Sequence, residues 1–406
     1  MRLTSKSNRA KPPAPAAPPA SLIPYGRQSI SPGDVEAVAA VLASDWLTQG
    51  PAVERFESAM AAYCGALHAV AVSSATAALH IACRAAGLGP GDLCWTSPNS
   101  FVASANCALY CGAEVDFVDI HPATYNMDPD ALEAKLERAR RAGRLPKAVI
   151  PVHFAGQSCP MDRIGELAGR YGFTVIEDAS HAVGGAFQGA KVGACQHSHM
   201  AVFSFHPVKI ITTGEGGMVL TNDPGLRRKL ERLRSHGITR DSGEMEGTCE
   251  GPWYYEQIEL GYNYRITDIQ AALGVSQLAR IDDFVDQRKA LADRYDVLLD
   301  GLPLALPSRD PQGRSAFHLY PVRIESSPGA PSRDRVFQGM REAGIGVNVH
   351  YLPIPAHPYY RSLGFSPGNF PRAQAYYCGA ISLPLFPGLS HEDQDKVVES
   401  LKTQLL

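Results

Sequence analysis

From residue 30 onward the chain alternates between stretches with apolar positions at helical spacing and short runs rich in β-branched residues. Ser31, Pro32 and Asp34 read as an N-cap, a first-turn proline and a first-turn carboxylate ahead of Val35, Val38 and Leu42, which predicts a helix ending near Ser44. A helical stretch around Phe56 to Tyr63 leads into the strand-like His68 to Val72, then into a small-residue turn and a helix closed by Gly87. The same order of strand, turn and helix recurs around DLCWT, AEVDFVD, KAVIPV and FTVIED. MAVFSF and GMVLT add two more strands across a Gly-rich connection. Strands alternating with helices at this spacing predict an α/β protein with a large, mostly parallel mixed sheet covered on both faces.

The grammar changes toward the C-terminus. Thr267 and Gln270 form a capping box that opens one long helical stretch to Leu298, with Ile281, Phe284, Val285, Leu291, Tyr295 and Leu298 continuing its apolar stripe. Past Gly301 come proline-rich loops, a strand-like HLYPVRI, a helix near Arg333 to Ala343 and a last helix opened by Ser390. The expected division is a disordered Pro/Ala-rich tail over 1–22, a large domain over 23–285 and a smaller α+β domain over 286–406. KPPAPAAPPA has no continuous apolar core of the kind a secretory signal needs, and its prolines oppose the amphipathic helix of a transit peptide, the remaining rival for the tail.

Composition narrows the classes. A chain of 406 residues suggests two or three domains, and 38 Lys plus Arg against 41 Asp plus Glu leaves a net charge of −3, which disfavours nucleic acid or an anionic membrane as partner. No window approaches the roughly 18 uninterrupted apolar residues of a membrane span. The nine cysteines are odd in number and form no CxxC pair, the pattern of free thiols in a reducing compartment, so a cytoplasmic location is expected.

Three segments fall where an open α/β sheet places its ligand, at the carboxyl ends of strands. Ser73-Ser74-Ala75-Thr76-Ala77 is a strand-to-helix turn whose free N–H groups suit a phosphate, although hydroxyls there also serve as plain helix caps. Glu177-Asp178-Ala179-Ser180-His181 ends an apolar run. An acid there can hold a ring nitrogen protonated on a cationic heteroaromatic cofactor, or simply finish a strand at a turn. Ser204-Phe205-His206-Pro207-Val208-Lys209 precedes Thr213-Gly214-Glu215-Gly216-Gly217; a lysine among apolar and hydroxyl residues can lose its proton and act as an amine nucleophile, or lie on the surface beside a turn.

Taken in order with Gly261-Tyr262-Asn263-Tyr264-Arg265-Ile266-Thr267-Asp268, these motifs resemble the DegT/StrS family of pyridoxal-phosphate sugar aminotransferases, over about residues 23 to 406. The resemblance implies fold type I of pyridoxal-phosphate aminotransferases. It implies that Lys209 forms the Schiff base with pyridoxal 5'-phosphate and shuttles the proton, and that Asp178 pairs with the pyridine nitrogen. His181 would lie near the phenolic oxygen or the substrate. Ser74, Thr76, Ala77 and Ser204 would bind the phosphate, and Phe101 would stack on the ring. Asn263 would reach the phosphate of a neighbouring subunit, so a homodimer with shared sites is implied. Lysine at position 209, where the family's dehydratases carry histidine, points to transamination.

Ile23 to Ile30, Ser44 to Pro51, Pro151 to Gly156 and Val349 to Ile354 are further similar to family members of pseudaminic acid biosynthesis. That similarity implies L-glutamate as donor and amination at C4 of UDP-4-keto-6-deoxy-N-acetylaltrosamine. Tyr25, His153, His350 and Tyr351 are then expected to touch substrate. The stretch Asp241 to Gln257 falls outside the pattern.

Rival readings carry less. Cys195, His197 and His199 cluster soft and imidazole ligands but match no zinc spacing, and His350 with His357 suits a pocket wall better than a metal, so no metal is expected. A dinucleotide oxidoreductase would need GxGxxG directly after a strand, which no strand here provides. A non-catalytic sensor on the same fold would bind cofactor or sugar without exchanging amino groups.

Overall fold

The structure is a computed structural model that describes residues 22–325 and 329–406. The expected disordered tail therefore lies, apart from residue 22, outside the described residues. Seven strands form the central sheet: β1 (His68–Val72), β2 (Leu93–Thr96), β3 (Glu114–Phe117), β4 (Ala148–Ile150), β5 (Thr174–Asp178), β6 (Met200–Ser204) and β7 (Gly217–Thr221). Their spatial order is β1-β7-β6-β5-β4-β2-β3. The five from β6 to β3 are parallel, and β7 runs antiparallel to both β1 and β6. β6 and β7 are buried at every position, because helices cover both faces and apolar residues need not alternate with polar ones.

Around the sheet lie α1 (Pro32–Leu42), α2 (Pro51–Cys64), α3 (Ala75–Ala85), α4 (Ala103–Tyr110), α5 (Pro129–Arg141), α6 (Met161–Tyr171), α7 (Pro224–Arg234), α8 (Asp268–Leu278) and α9 (Ile281–Leu298). The capping signals act locally: Ser31 and Asp34 form a capping box on α1, and Thr267 and Gln270 form one on α8. A small antiparallel sheet of β8 (Leu304–Ala305), β9 (Tyr320–Ile324) and β10 (Ala380–Leu383) packs with α10 (Arg333–Glu342) and α11 (His391–Leu405).

Two expectations change. The stretch from Thr267 to Leu298 is two helices that break at Ala279 and Arg280, where the Gln277 amide and the Arg280 guanidinium both turn to the buried Asp34 carboxylate. Charge at the join outweighs the continuous apolar stripe. Residue 23, assigned to the large domain, joins the smaller one: Ile23 accepts from Gly346 N at 2.6 Å and donates to Gly344 O at 3.0 Å, and its side chain is buried with Leu291, Val322 and Ile345.

Helix α9 belongs to two interiors. Ile281, Phe284 and Val285 pack with Phe56, Phe203 and Phe205 of the large unit, whereas Leu291, Ala292 and Tyr295 pack with Tyr320, Val322 and Ile381 of the small one. Between them Arg288 is buried and donates to the carbonyls of Leu385 (2.8 Å), Phe317 (3.2 Å) and His318 (3.3 Å). Three carbonyl dipoles take the place of water around its charge. Arg288→Ala is expected to lower stability by on the order of 3 kcal/mol, through stranded carbonyls and a cavity, read as a lower urea midpoint. An unchanged midpoint contradicts this role.

Candidate active site

The carboxyl ends of β5 and β6, the start of α3 and the loop Asn348–Leu352 surround a cavity of about 820 Å³. Its floor holds Asp178, the last residue of β5. This carboxylate is buried, accepting Ser104 Oγ–H from α4 at 2.6 Å on Oδ2 and the Ser180 N–H at 3.1 Å on Oδ1. Both oxygens are therefore held in place from the protein side.

Lys209 reaches the cavity from the loop that joins β6 to β7. Phe205 O accepts from Thr212 Oγ at 2.9 Å and Thr213 N at 3.0 Å, and Phe205 N donates to Gly216 O at 2.9 Å, so both ends of the loop are stitched together. Burial pushes the Lys209 ammonium down to about 8, while the Asp178 charge pulls the other way. Among the described residues that line the cavity, Lys209 is the only lysine or arginine.

Three buried histidines share this space. His181 and His318 rings lie 4.4 Å apart, and His181 Nε2 is 3.1 Å from the Tyr351 hydroxyl. Burial, then Lys209, push both imidazoles well below their ordinary range; burial and Lys209 likewise push His350 down to about 3. All three are neutral at physiological pH. Nδ1 of His181 and of His318 is buried without a hydrogen-bond partner, a capacity that suits a ligand.

At the opposite wall Ser74 caps α3, its Oγ accepting from Ala77 N at 3.1 Å. The N–H groups of Ala75 and Thr76 remain in the open first turn, where the helix dipole favours an anion. Gly217 at the start of β7 permits this approach: a Cβ there would stand 2.5 Å from the Ser74 backbone.

Of the residues singled out in the sequence, the fold brings Tyr25, Ser74, Thr76, Phe101, Asp178, His181, Ser204, Lys209, His350 and Tyr351 to this cavity. Three do not reach it. Ala77 is buried and its N–H is spent on the Ser74 cap. Asn263 is exposed, outside the cavity of its own chain, on a segment bridged to Ser235. His153, expected to touch substrate, is completely buried beside β5: Nε2 lies 2.7 Å from Glu177 Oε2, and Nδ1 accepts the Cys159 N–H at 3.1 Å. Burial opposes a charged imidazole here and Glu177 favours one; with Cys159 N–H on Nδ1, the hydrogen bonds accommodate the neutral ring.

Sequence reasoning missed Ser104, His318, Asn348 and Glu215, all of which line the cavity. His318 stands just before the strand-like LYPVRI, a position that could have marked it. The pairing of Ser104 with Asp178 depends on where the first turn of α4 meets the end of β5, which no local pattern encodes. The CQHSH segment is structural: His199 Nδ1 accepts from Val175 N at 3.1 Å, and no group of His, Cys, Asp or Glu among the described residues is placed to hold a metal.

A parallel sheet with a lysine, a buried carboxylate and an open helix start at its carboxyl edge defines a pyridoxal-phosphate-dependent enzyme. The chain belongs to the DegT/DnrJ/EryC1/StrS aminotransferase family, whose model matches residues 28–402. It is 39% identical to the Bacillus subtilis spore coat polysaccharide biosynthesis protein SpsC, over 94% of this chain and 96% of that one. Helicobacter pylori PseC, an aminotransferase involved in the biosynthesis of pseudoaminic acid, superposes with a TM-score of 0.86 at 31% identity, covering 95% and 99% of the two chains. Streptococcus pneumoniae Spr1654 in its PMP form gives a TM-score of 0.84 at 30% identity, covering 94% and 97%; it has also been solved in a PLP form. The protein is a sugar aminotransferase that uses pyridoxal phosphate. The residues present fit that group: an anion cradle at α3, a buried carboxylate, unpartnered imidazole nitrogens and one lysine.

In the cofactor-free protein only the neutral amine of Lys209 reacts, so reactivity rises with pH as the ammonium loses its proton. Modification of Lys209 by an amine-selective reagent, followed by peptide mass spectrometry, is expected to reach half-maximal rate near pH 8. A midpoint at the ordinary lysine value of about 10.4 contradicts the depressed affinity.

Proposed function

We propose that the protein transfers the amino group of L-glutamate to the C4 carbonyl of a nucleotide-linked 4-keto-6-deoxy sugar, UDP-4-keto-6-deoxy-N-acetylaltrosamine, in pseudaminic acid biosynthesis. The observation that carries the chemistry is the pairing, in one cavity, of the sole lysine with the carboxylate of Asp178. Bound pyridoxal phosphate supplies an electron sink for the pair left behind when a proton leaves the amino-acid α-carbon.

In this reading Lys209 would anchor the cofactor through its amine and, freed when glutamate takes its place, would carry the proton from the amino-acid α-carbon to the cofactor. In the second half, after water has released 2-oxoglutarate, it would carry that proton on to C4 of the sugar. Asp178 would face the ring nitrogen and stabilise its protonated form. His181, neutral and tethered to Tyr351, offers Nδ1 to the phenolic oxygen or to substrate. Thr76, Ser74 and Ser204 hold the phosphate; Ala77 helps by completing the cap that shapes the turn. Phe101, 59% exposed at the mouth, covers the ring face.

Tyr25, whose ring lies 5.5 Å from His350, and Tyr351 form the sugar wall in this proposal. The exposed Asn263 faces a second copy, giving a homodimer with shared sites. Nine unpaired cysteines support a reducing, cytoplasmic setting, and among the described residues no helix is long and apolar enough to cross a membrane. Similarity to SpsC favours a second sugar reading, another nucleotide-linked ketosugar.

The test incubates holoenzyme with L-glutamate and the UDP-4-ketosugar and follows 2-oxoglutarate together with the aminated sugar by mass spectrometry. Stoichiometric formation of both is expected. Lys209→Ala is expected to lose at least about 10²-fold in turnover, the lower range for a positioned proton-transfer group. Release of 2-oxoglutarate with no aminated UDP-sugar moves the assignment to another ketosugar, and no release at all moves it to a sensor.

A further inference from the structure

His153 and Glu177 lie outside the lining of the cavity, yet the backbone of one and the strand of the other hold the residue at its floor. β4 and β5 pair at Ala148–Thr174 and Val149–Val175. The same register carries on past Pro151 to a bridge of Val152 with Asp178: His153 N donates to Asp178 O at 3.0 Å, and Asp178 N donates to Pro151 O at 2.9 Å. The backbone of Asp178 is thus gripped on both its polar groups by the segment that carries His153.

The side chain grips the same strand one residue earlier. Adjacent side chains of a strand point to opposite faces, so Glu177 points away from the face that Asp178 presents to the cavity. Glu177 is buried, with His153 Nε2 at 2.7 Å from one oxygen and the Ser198 hydroxyl donating to the other. His153 is in turn fixed by Cys159 N, and the loop around it by Asn126, whose Oδ1 accepts from Phe154 N at 2.8 Å and whose Nδ2 donates to the carbonyls of Gln157 and Ser158, each at 3.0 Å. A buried carboxylate is costly without partners. Here its partners are spent on locking the last turn of strand that aims Asp178.

We infer that His153 and Glu177 are a positioning pair, which reaches the pyridine nitrogen of the cofactor only through Asp178 by fixing the direction of that carboxylate. This rests on the proposed role of Asp178. Neither residue touches substrate, so amino-donor and sugar KM values stay near those of the parent while cofactor affinity and kcat fall together.

A double-mutant cycle on cofactor-free protein separates this role from simple structural support, with the dissociation constant for pyridoxal phosphate read by fluorescence titration and folding checked by thermal unfolding of the same samples. Removal of a group that orients a functional residue costs about tenfold at the low end. His153→Ala is expected to weaken binding by about that factor in the parent but by less than about twofold in the Asp178→Asn background, because a misaimed group that no longer carries the charge has little left to lose. Glu177→Ala should behave in the same way, and Glu177→Gln, which keeps the acceptor for His153, should recover most of the loss.

Equal losses in both backgrounds, or no loss with His153→Ala, overturn the positioning role. If His153→Ala does not fold, Ser198→Ala removes one hydroxyl from Glu177 and carries the same cycle with the same two outcomes. Parent-like affinity in Asp178→Asn alone is a different failure: it removes Asp178 from the ring nitrogen and takes this inference with it.

Discussion

A carboxylate kept out of water at the end of the central strand is the constraint on which the rest of the site is arranged. Asp178 needs donors on its protein side and a positive counterpart on its cavity side. Ser104 and the Ser180 amide meet the first need. The second is met in part by Lys209 and, in the function proposed above, by a protonated ring nitrogen. The parallel order of β4, β5 and β6 matters because it delivers Asp178, Ser204 and the Lys209 loop to one edge.

The other donors around this charge are deliberately weak. Three imidazoles are held neutral by burial, and the hydroxyls of Tyr25 and Tyr351 are pushed up out of the range where they ionise. Neutral donors can hydrogen-bond a sugar without competing for the charges of Asp178 and Lys209. Among the described residues the lining has no arginine, which leaves any carboxylate that enters to Lys209 and to hydrogen bonds from neutral groups.

Much of this was legible in the chain because strand ends and helix starts are written locally. Apolar runs terminated by Glu177-Asp178, by Ser204 and by Val72 mark three strand ends, and the fold class places such ends together. The N-cap at Ser31 and the capping box at Thr267 could be read for the same reason. What could not be read are relations between elements. His153 in Pro-Val-His looks like any polar residue after a strand, and only the pairing of β4 with β5 sends it beneath the site. Ser104 is one small residue among many in α4 until the first turn of that helix meets Asp178. The break at Arg280 exists because Asp34, more than two hundred residues earlier, sits beside it.

Helix α9 has 18 residues and contains no glycine or proline, and each half is embedded in a different interior. Such a rod transmits rotation instead of absorbing it, since kinks arise at proline, glycine or interrupted hydrogen bonds. The Arg288 carbonyl ties fasten its midpoint between the two interiors. Tilting one interior against the other would strain that fastener and the rod together. Entry of a sugar substrate therefore falls to the rim, which the half-exposed Phe101 lines.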